Sequence, residues 1–170
     1  MELKGTRTIA AEPAAVWAAL NDPEVLKACI PGCQTLEKTS DTSFEAMVKQ
    51  KVGPVSATFH GVVELSDLNP PNSYRISGEG KGGAAGFAKG GATVSLSPVE
   101  GGTELAYDVD AKVGGKIAQL GARLIDGFAK KLADQFFETF QKVVEGGDEP
   151  EAPEGEAKPE KKSWLKRLTG

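Results

Sequence analysis

The sequence predicts an α+β fold, a curved antiparallel sheet of about seven strands wrapped around a long C-terminal helix, with two short helices after strand 1. Three observations predict it. Leu120, Leu124, Phe128, Leu132, Phe136, Phe140 and Val144 recur every fourth residue, as one face of a helix does. The segments before them alternate apolar and polar residues with a period of two, the signature of half-buried strands. Between the first strand and the rest, Glu12-Pro13 and Asp22-Pro23 each place proline at a first helical position.

In chain order, Leu3 to Ile9 reads as the first strand, and a short helix then runs from Pro13 through Leu20. A second short helix follows Pro23 and stops at Ile30-Pro31-Gly32, after which the strands begin near Gln34. Phe44, Ala46 and Val48 share a face opposite Glu45, Met47 and Lys49. After the Gly53-Pro54 turn, Val55, Ala57, Phe59, Gly61, Val63 and Leu65 alternate with Ser56, Thr58, His60, Val62 and Glu64. Strands over Tyr74 to Ser77 and Ala92 to Ser97 come next. A turn at Glu100-Gly101-Gly102 leads to a last strand with Leu105, Tyr107, Val109, Ala111 and Val113 on one side.

The final helix is expected to run unbroken from Gly115 to Glu145. Ile117, Ile125, Phe137 and Val143 widen its apolar stripe, while Lys116, Arg123, Asp126, Lys130, Lys131, Asp134, Glu138 and Lys142 cover the other side. It is amphipathic and does not span a membrane, which takes about 20 consecutive apolar residues. Gly121 and Gly127 inside it each cost about 1 kcal/mol against alanine, which implies a need for close approach or room.

At 170 residues, 39% hydrophobic and 26% charged, the chain suits one folded domain, placed at 1–146. A net charge of −4 with acids interleaved among the bases argues against nucleic acid as a partner. The polar start Met1 to Arg7 does not read as a signal peptide, so a cytoplasmic location is expected. Cys29 and Cys33 with a single histidine are too few for a structural zinc site and read as small buried hydrophobes, so no metal is expected.

Small inward residues, Ala46, Ala57, Gly61, Ala92, Ala111 and Gly121 among them, imply an under-filled apolar interior. The other reading is a flatter sheet that closes directly on the helix. Between Gly78 and Gly91, Gly78-Glu79-Gly80-Lys81-Gly82-Gly83 matches G-x-G-x-x-G, but a strand follows instead of a helix, so a dinucleotide site is not expected. Two readings of that stretch stand: a flap or gate at the cavity mouth carrying Phe87, or a hairpin whose glycines are purely conformational.

No catalytic set emerges. His60 falls with Ser56, Thr58 and Glu64 on the face opposite Phe59, away from the interior, and the acids of the last strand also face out. Tyr107, facing in, offers one hydrogen bond to a buried carbonyl or to backbone. The residues suit holding a molecule more than converting one.

From Gly146 the composition becomes acidic and proline-rich, which reads as a disordered linker over 147–162. Residues 163–170 read as a short amphipathic membrane-binding tail. Trp164, Leu165 and Leu168 form its apolar side, flanked by Lys161, Lys162, Lys166 and Arg167. The same anchors would also fit a groove on a protein partner.

Together, Glu12-Pro13-Ala14-Ala15-Val16-Trp17, Asn21-Asp22-Pro23-Glu24, Ile30-Pro31-Gly32-Cys33 with Leu36-Glu37, and Gly114 to Gly121 leading to Phe136-Phe137 resemble CoxG, a family of carbon monoxide dehydrogenase subunits. That family lies in the START-related helix-grip (SRPBCC) superfamily. The resemblance covers Met1 to about Glu145 and implies a hydrophobic ligand cavity between sheet and helix. It also implies association with a molybdenum-containing CO dehydrogenase or related hydroxylase, a role in joining that enzyme to the cytoplasmic membrane surface, and a quinone as ligand.

The expected function is therefore a non-enzymatic carrier of menaquinone or ubiquinone, peripheral to the inner face of the membrane. Its lining would comprise Trp17, Phe59, Phe87, Tyr107, Leu120, Leu124, Phe128 and Leu132. The alternatives are a ligand-free tether or assembly factor for the same enzyme, and a small cyclase or hydrolase of the superfamily.

Overall fold

A computed structural model describes residues 1–146. The linker 147–162 and the tail 163–170, with Lys161, Lys162, Trp164, Leu165, Lys166, Arg167 and Leu168, lie outside the described residues. β1 (Glu2–Ile9) leads to α1 (Pro13–Leu20) and α2 (Pro23–Cys29). Proline opens both helices, and Asp22 caps the second by accepting the Glu24 backbone N–H at 2.9 Å.

Then come β2 (Cys33–Ser40), β3 (Ser43–Val52), β4 (Val55–Asn69), β5 (Ser73–Lys81), β6 (Phe87–Val99), β7 (Gly102–Gly114) and α3 (Ala122–Glu145). The seven strands form one antiparallel sheet in the order β1-β7-β6-β5-β4-β3-β2. The inward and outward faces of β3, β4 and β7 fall as the alternation predicts.

The long helix starts later than its sequence suggests. Lys116–Leu120 is a 3-10 turn, and Gly121, at φ 97°, separates it from α3. Gly121 is therefore not an interior helical residue; it holds a left-handed backbone that glycine adopts without steric cost. Gly127 is inside α3, yet a Cβ there would meet nothing within 4 Å, so no close approach requires it.

Within α3 the buried residues are Phe137, Phe140 and Val143, while Phe136 and Val144 are half-buried. A repeat of four drifts against a turn of 3.6 residues, so the deeply buried line slides off the every-fourth-residue seam.

The glycine stretch is a regular hairpin. β5 and β6 pair without a register shift from Ser73↔Ser95 to Lys81↔Phe87, and a single 3-10 turn over Gly83–Ala85 joins them. At Gly90 a Cβ would collide with the Asp110 carbonyl and the Ala111 backbone, so here the absence of a side chain lets β6 and β7 lie close.

Candidate functional site: the space between sheet and helix

The helix is fastened at one end. Gln141 donates to the Thr8 carbonyl at 3.0 Å, the Ala10 N–H donates to Glu145 at 2.9 Å, and Arg7 donates to Asp134 at 2.6 Å. All three bonds tie the C-terminal half of α3 to β1 and the residue after it. Within the sheet, α3 comes near the backbone of β1 and, less extensively, of β3, toward the two edges.

The buried apolar residues fall into two groups. The larger joins α1, α2, the inner face of the sheet and the C-terminal half of α3 around Ile9, Val16, Leu105, Phe140 and Val143. The smaller, around Val52, Ala85 and Ile117, closes the opposite end with Phe59, Val113, Leu120 and Phe128. Leu3, Val48, Ala92, Val109, Ala111 and Leu132 belong to neither and stay half-exposed, although the strand residues among them face inward. A solid core would bury such positions against 6–12 neighbours. These inward positions are thus less completely covered than the residues of either cluster.

The eight expected lining residues divide accordingly. Trp17 and Tyr107 pack at the larger cluster. Trp17 sits edge-on to Tyr74 at 5.1 Å, and Tyr107 stacks on Phe137 at 5.2 Å. Phe59, Leu120 and Phe128 pack at the smaller cluster, and Leu132 lies outside both. Leu124 leans on Gly53, where a Cβ would come within 3.3 Å of it, and remains 39% exposed.

Phe87 does not line this space. Pairing with Gly114 puts it on the outer face, where its ring covers that glycine and is 41% exposed. Its strand begins at Phe87 itself, so alternation assigns it to the side of Lys89 and Thr93.

One inward group is absent from the sequence-based set. Arg7 shares the inner face of β1 with Leu3, Gly5 and Ile9, and its guanidinium lies 5.1 Å from the centre of the Phe137 ring. Burial works against its charge, but hydrogen bonds with Tyr107 and Asp134 outweigh that and raise its pKa. The Tyr107 hydroxyl lies where a Cβ of Gly5 would be, so glycine at that position admits the ring. Strand alternation alone would have placed Arg7 inside.

The hydrogen bond from Arg7 lowers the Asp134 pKa, helped by the charge of Lys130. A carboxylate depressed in the folded state stabilises the fold above about pH 4, and that contribution disappears as pH falls through the lower folded value. Titration followed by carboxyl carbon NMR should give Asp134 a midpoint below the ordinary aspartate range, and Arg7→Gln should return it. An ordinary midpoint in the parent chain would remove this clamp.

Conventional catalytic chemistry finds little here. His60 is exposed on the outer face, 3.7 Å from Glu45. Burial raises the Cys33 thiol pKa, which disfavours the thiolate. Burial likewise pushes the Tyr74 hydroxyl upward. Among the described residues no group of three or more His, Cys, Asp or Glu could hold a metal ion. An open depression of about 430 Å³ on the outer sheet face is bordered by Lys4, Gly5, Thr6, Thr93, Ser95, Ala106, Tyr107 and Asp108, and it lies wide open to solvent.

Among the described residues no helix is long and apolar enough to cross a membrane. Among curated proteins none matches the chain. A conserved protein from Geobacillus kaustophilus is similar in structure, with a TM-score of 0.80 and 32% identity over 85% of this chain and 95% of that one. Proteins from Thermus thermophilus (TM-score 0.64, 18% identity, 85% and 97% covered) and Chromobacterium violaceum (TM-score 0.63, 16% identity, 85% and 96% covered) share the fold. The profile of the carbon monoxide dehydrogenase subunits called CoxG matches residues 5–145, and the name of that family ties its members to CO dehydrogenase. With the helix-grip fold, the Pro31-Gly32-Cys33 turn and a match over most of its length, the chain belongs to the CoxG family.

Proposed function

We propose that the protein is a non-enzymatic carrier of a respiratory quinone, menaquinone or ubiquinone, that links a molybdenum CO dehydrogenase or related hydroxylase to the membrane. The observation that carries this reading is the set of partly exposed inward apolar residues between the two core clusters, where Leu3, Val48, Val109 and Leu132 are only partly buried and belong to neither. Apolar surface left open to water costs about 25 cal/mol per Å², so a long isoprenoid chain laid against it gains in proportion to the area it covers. The quinone head needs at most a few polar contacts, and the Arg7–Tyr107 pair at the β1 side supplies donors beside that lining.

Family membership supports the enzyme partner, because electrons leaving CO oxidation need an acceptor. Attachment to the bilayer through Trp164, Leu165 and Leu168 with their basic neighbours belongs to the same proposal.

The test is organic extraction of protein purified from cells that make quinone, followed by mass spectrometry. A near-stoichiometric isoprenoid quinone is expected, and a reproducibly empty protein would end the carrier reading. Reduction of a soluble dye by the partner enzyme should not need this chain, whereas reduction of long-tailed quinone should.

A further inference from the structure

We propose that the folded domain carries its own binding surface for an anionic lipid bilayer, at the end opposite the acidic turns and separate from the tail. Three stretches far apart in sequence meet at this end: 49–59 around the β3–β4 turn, 80–92 around the β5–β6 turn, and 111–125 from the end of β7 into α3. Pairing of His60 with Lys81 and of Phe87 with both Lys81 and Gly114 brings them together. They contain Lys49, Lys51, Lys81, Lys89, Lys112, Lys116 and Arg123, all exposed, and not one Asp or Glu. The opposite end presents Glu12, Asp41, Asp67, Glu100 and Glu145. A chain of net charge −4 is therefore strongly polarised, which orients it in the field of a charged surface.

The centre of the basic end is apolar. Phe87, 41% exposed, has Lys81 directly across from it, with Lys89 two residues along its own strand. Lys89 and Lys112 stand opposite each other in the sheet, a like-charge pair that disfavours folding. Glu79, across from Lys89, is the nearest acid on that face. Lys81, Lys89 and Lys112 make no ion pair within 4 Å among the described residues. Leu124, 39% exposed, is the second apolar side chain at this end.

A strong excess of positive charge gathered from three unrelated stretches, with Glu79, Asp110 and Asp126 only at its margins and an exposed aromatic ring in its midst, complements a negative sheet of headgroups. A protein partner would be met by a patchwork of both signs. The rest of the outer face mixes Glu45, Glu64, Asp108 and Asp110 with Lys4 and Arg75, so this end suits an anionic bilayer better than the remainder of that face. The contact does not depend on a quinone in the interior, and its failure would leave the carrier reading standing.

The experiment is sedimentation of the full chain with vesicles of phosphatidylcholine, with and without a minority of phosphatidylglycerol. It is run on the parent and on a variant whose tail anchors are removed by Trp164→Ala, Leu165→Ala and Leu168→Ala. The tail variant should still bind phosphatidylglycerol vesicles, more weakly as salt rises, and should ignore pure phosphatidylcholine. Adding Lys81→Gln, Lys89→Gln and Lys112→Gln should then weaken binding by about a hundredfold, from about fivefold per lysine.

Phe87→Ser alone, which leaves every charge in place, should lower affinity without changing the salt slope. Equal binding to both kinds of vesicle, or no response to the lysine changes, would overturn the proposal. So would lysine variants that bind vesicles normally but no longer bind the partner enzyme, since that would make this end a protein interface.

Discussion

Replacing Phe140 by alanine is expected to lower the free energy of unfolding by about 3–5 kcal/mol, the range for deleting a fully buried phenylalanine. Phe140 is 0% exposed and stacks with Phe136 at 5.8 Å in the cluster that also holds Ile9, Val16 and Leu105. Its loss would leave a cavity in the part of the molecule where α3 is fastened to β1. Leu124, two-fifths exposed near the other end of the same helix, should cost under about 1 kcal/mol when cut to alanine. Urea titration of the two variants measures the difference directly. Comparable losses would mean that the helix is packed evenly along its length.

The variant Ala92→Phe separates a hollow interior from a solid one. Ala92 faces inward on β6 between Ile76 of β5 and Val109 of β7, and it belongs to neither buried cluster. In a filled core an added ring forces neighbours aside and costs about 1–3 kcal/mol. Here it should leave stability unchanged or raise it, because the ring covers apolar surface that is now open to water. Quinone bound at purification should fall by about tenfold or more, which corresponds to about 1.4 kcal/mol of displaced contact. A strongly destabilised variant would mean that the interior is closed by its own side chains. A stable variant with undiminished quinone would place the ligand elsewhere.

Strand number, the two proline-led helices and the closing helix are all legible in the sequence, because each rests on a local period or a local turn. What the sequence hides depends on relations across the chain. The apolar stripe of α3 includes Phe137, Phe140 and Val143 as well as Phe136 and Val144, and only contact with the sheet shows that the first three are buried while the other two stay half-buried. Gly121 looks like a flaw inside a helix and is the break before one, because the preceding residues take a tighter turn.

Size alone suggests Phe87 for the lining, but the parity of its position on β6 decides its face. The Arg7–Asp134 pair joins residues 127 apart. Arg7 is recoverable from the alternation of β1, whereas Asp134 reads as an ordinary member of the polar face of α3.

The side-chain hydrogen bonds that join α3 to β1, through Arg7, Gln141 and Glu145, all fall in the second half of the helix, whereas its first half is held by apolar contacts at Leu124 and Phe128. Apolar contacts impose no bond direction, so amide protons in the first half of α3 should exchange with solvent sooner than those in the second, which native-state hydrogen exchange would read.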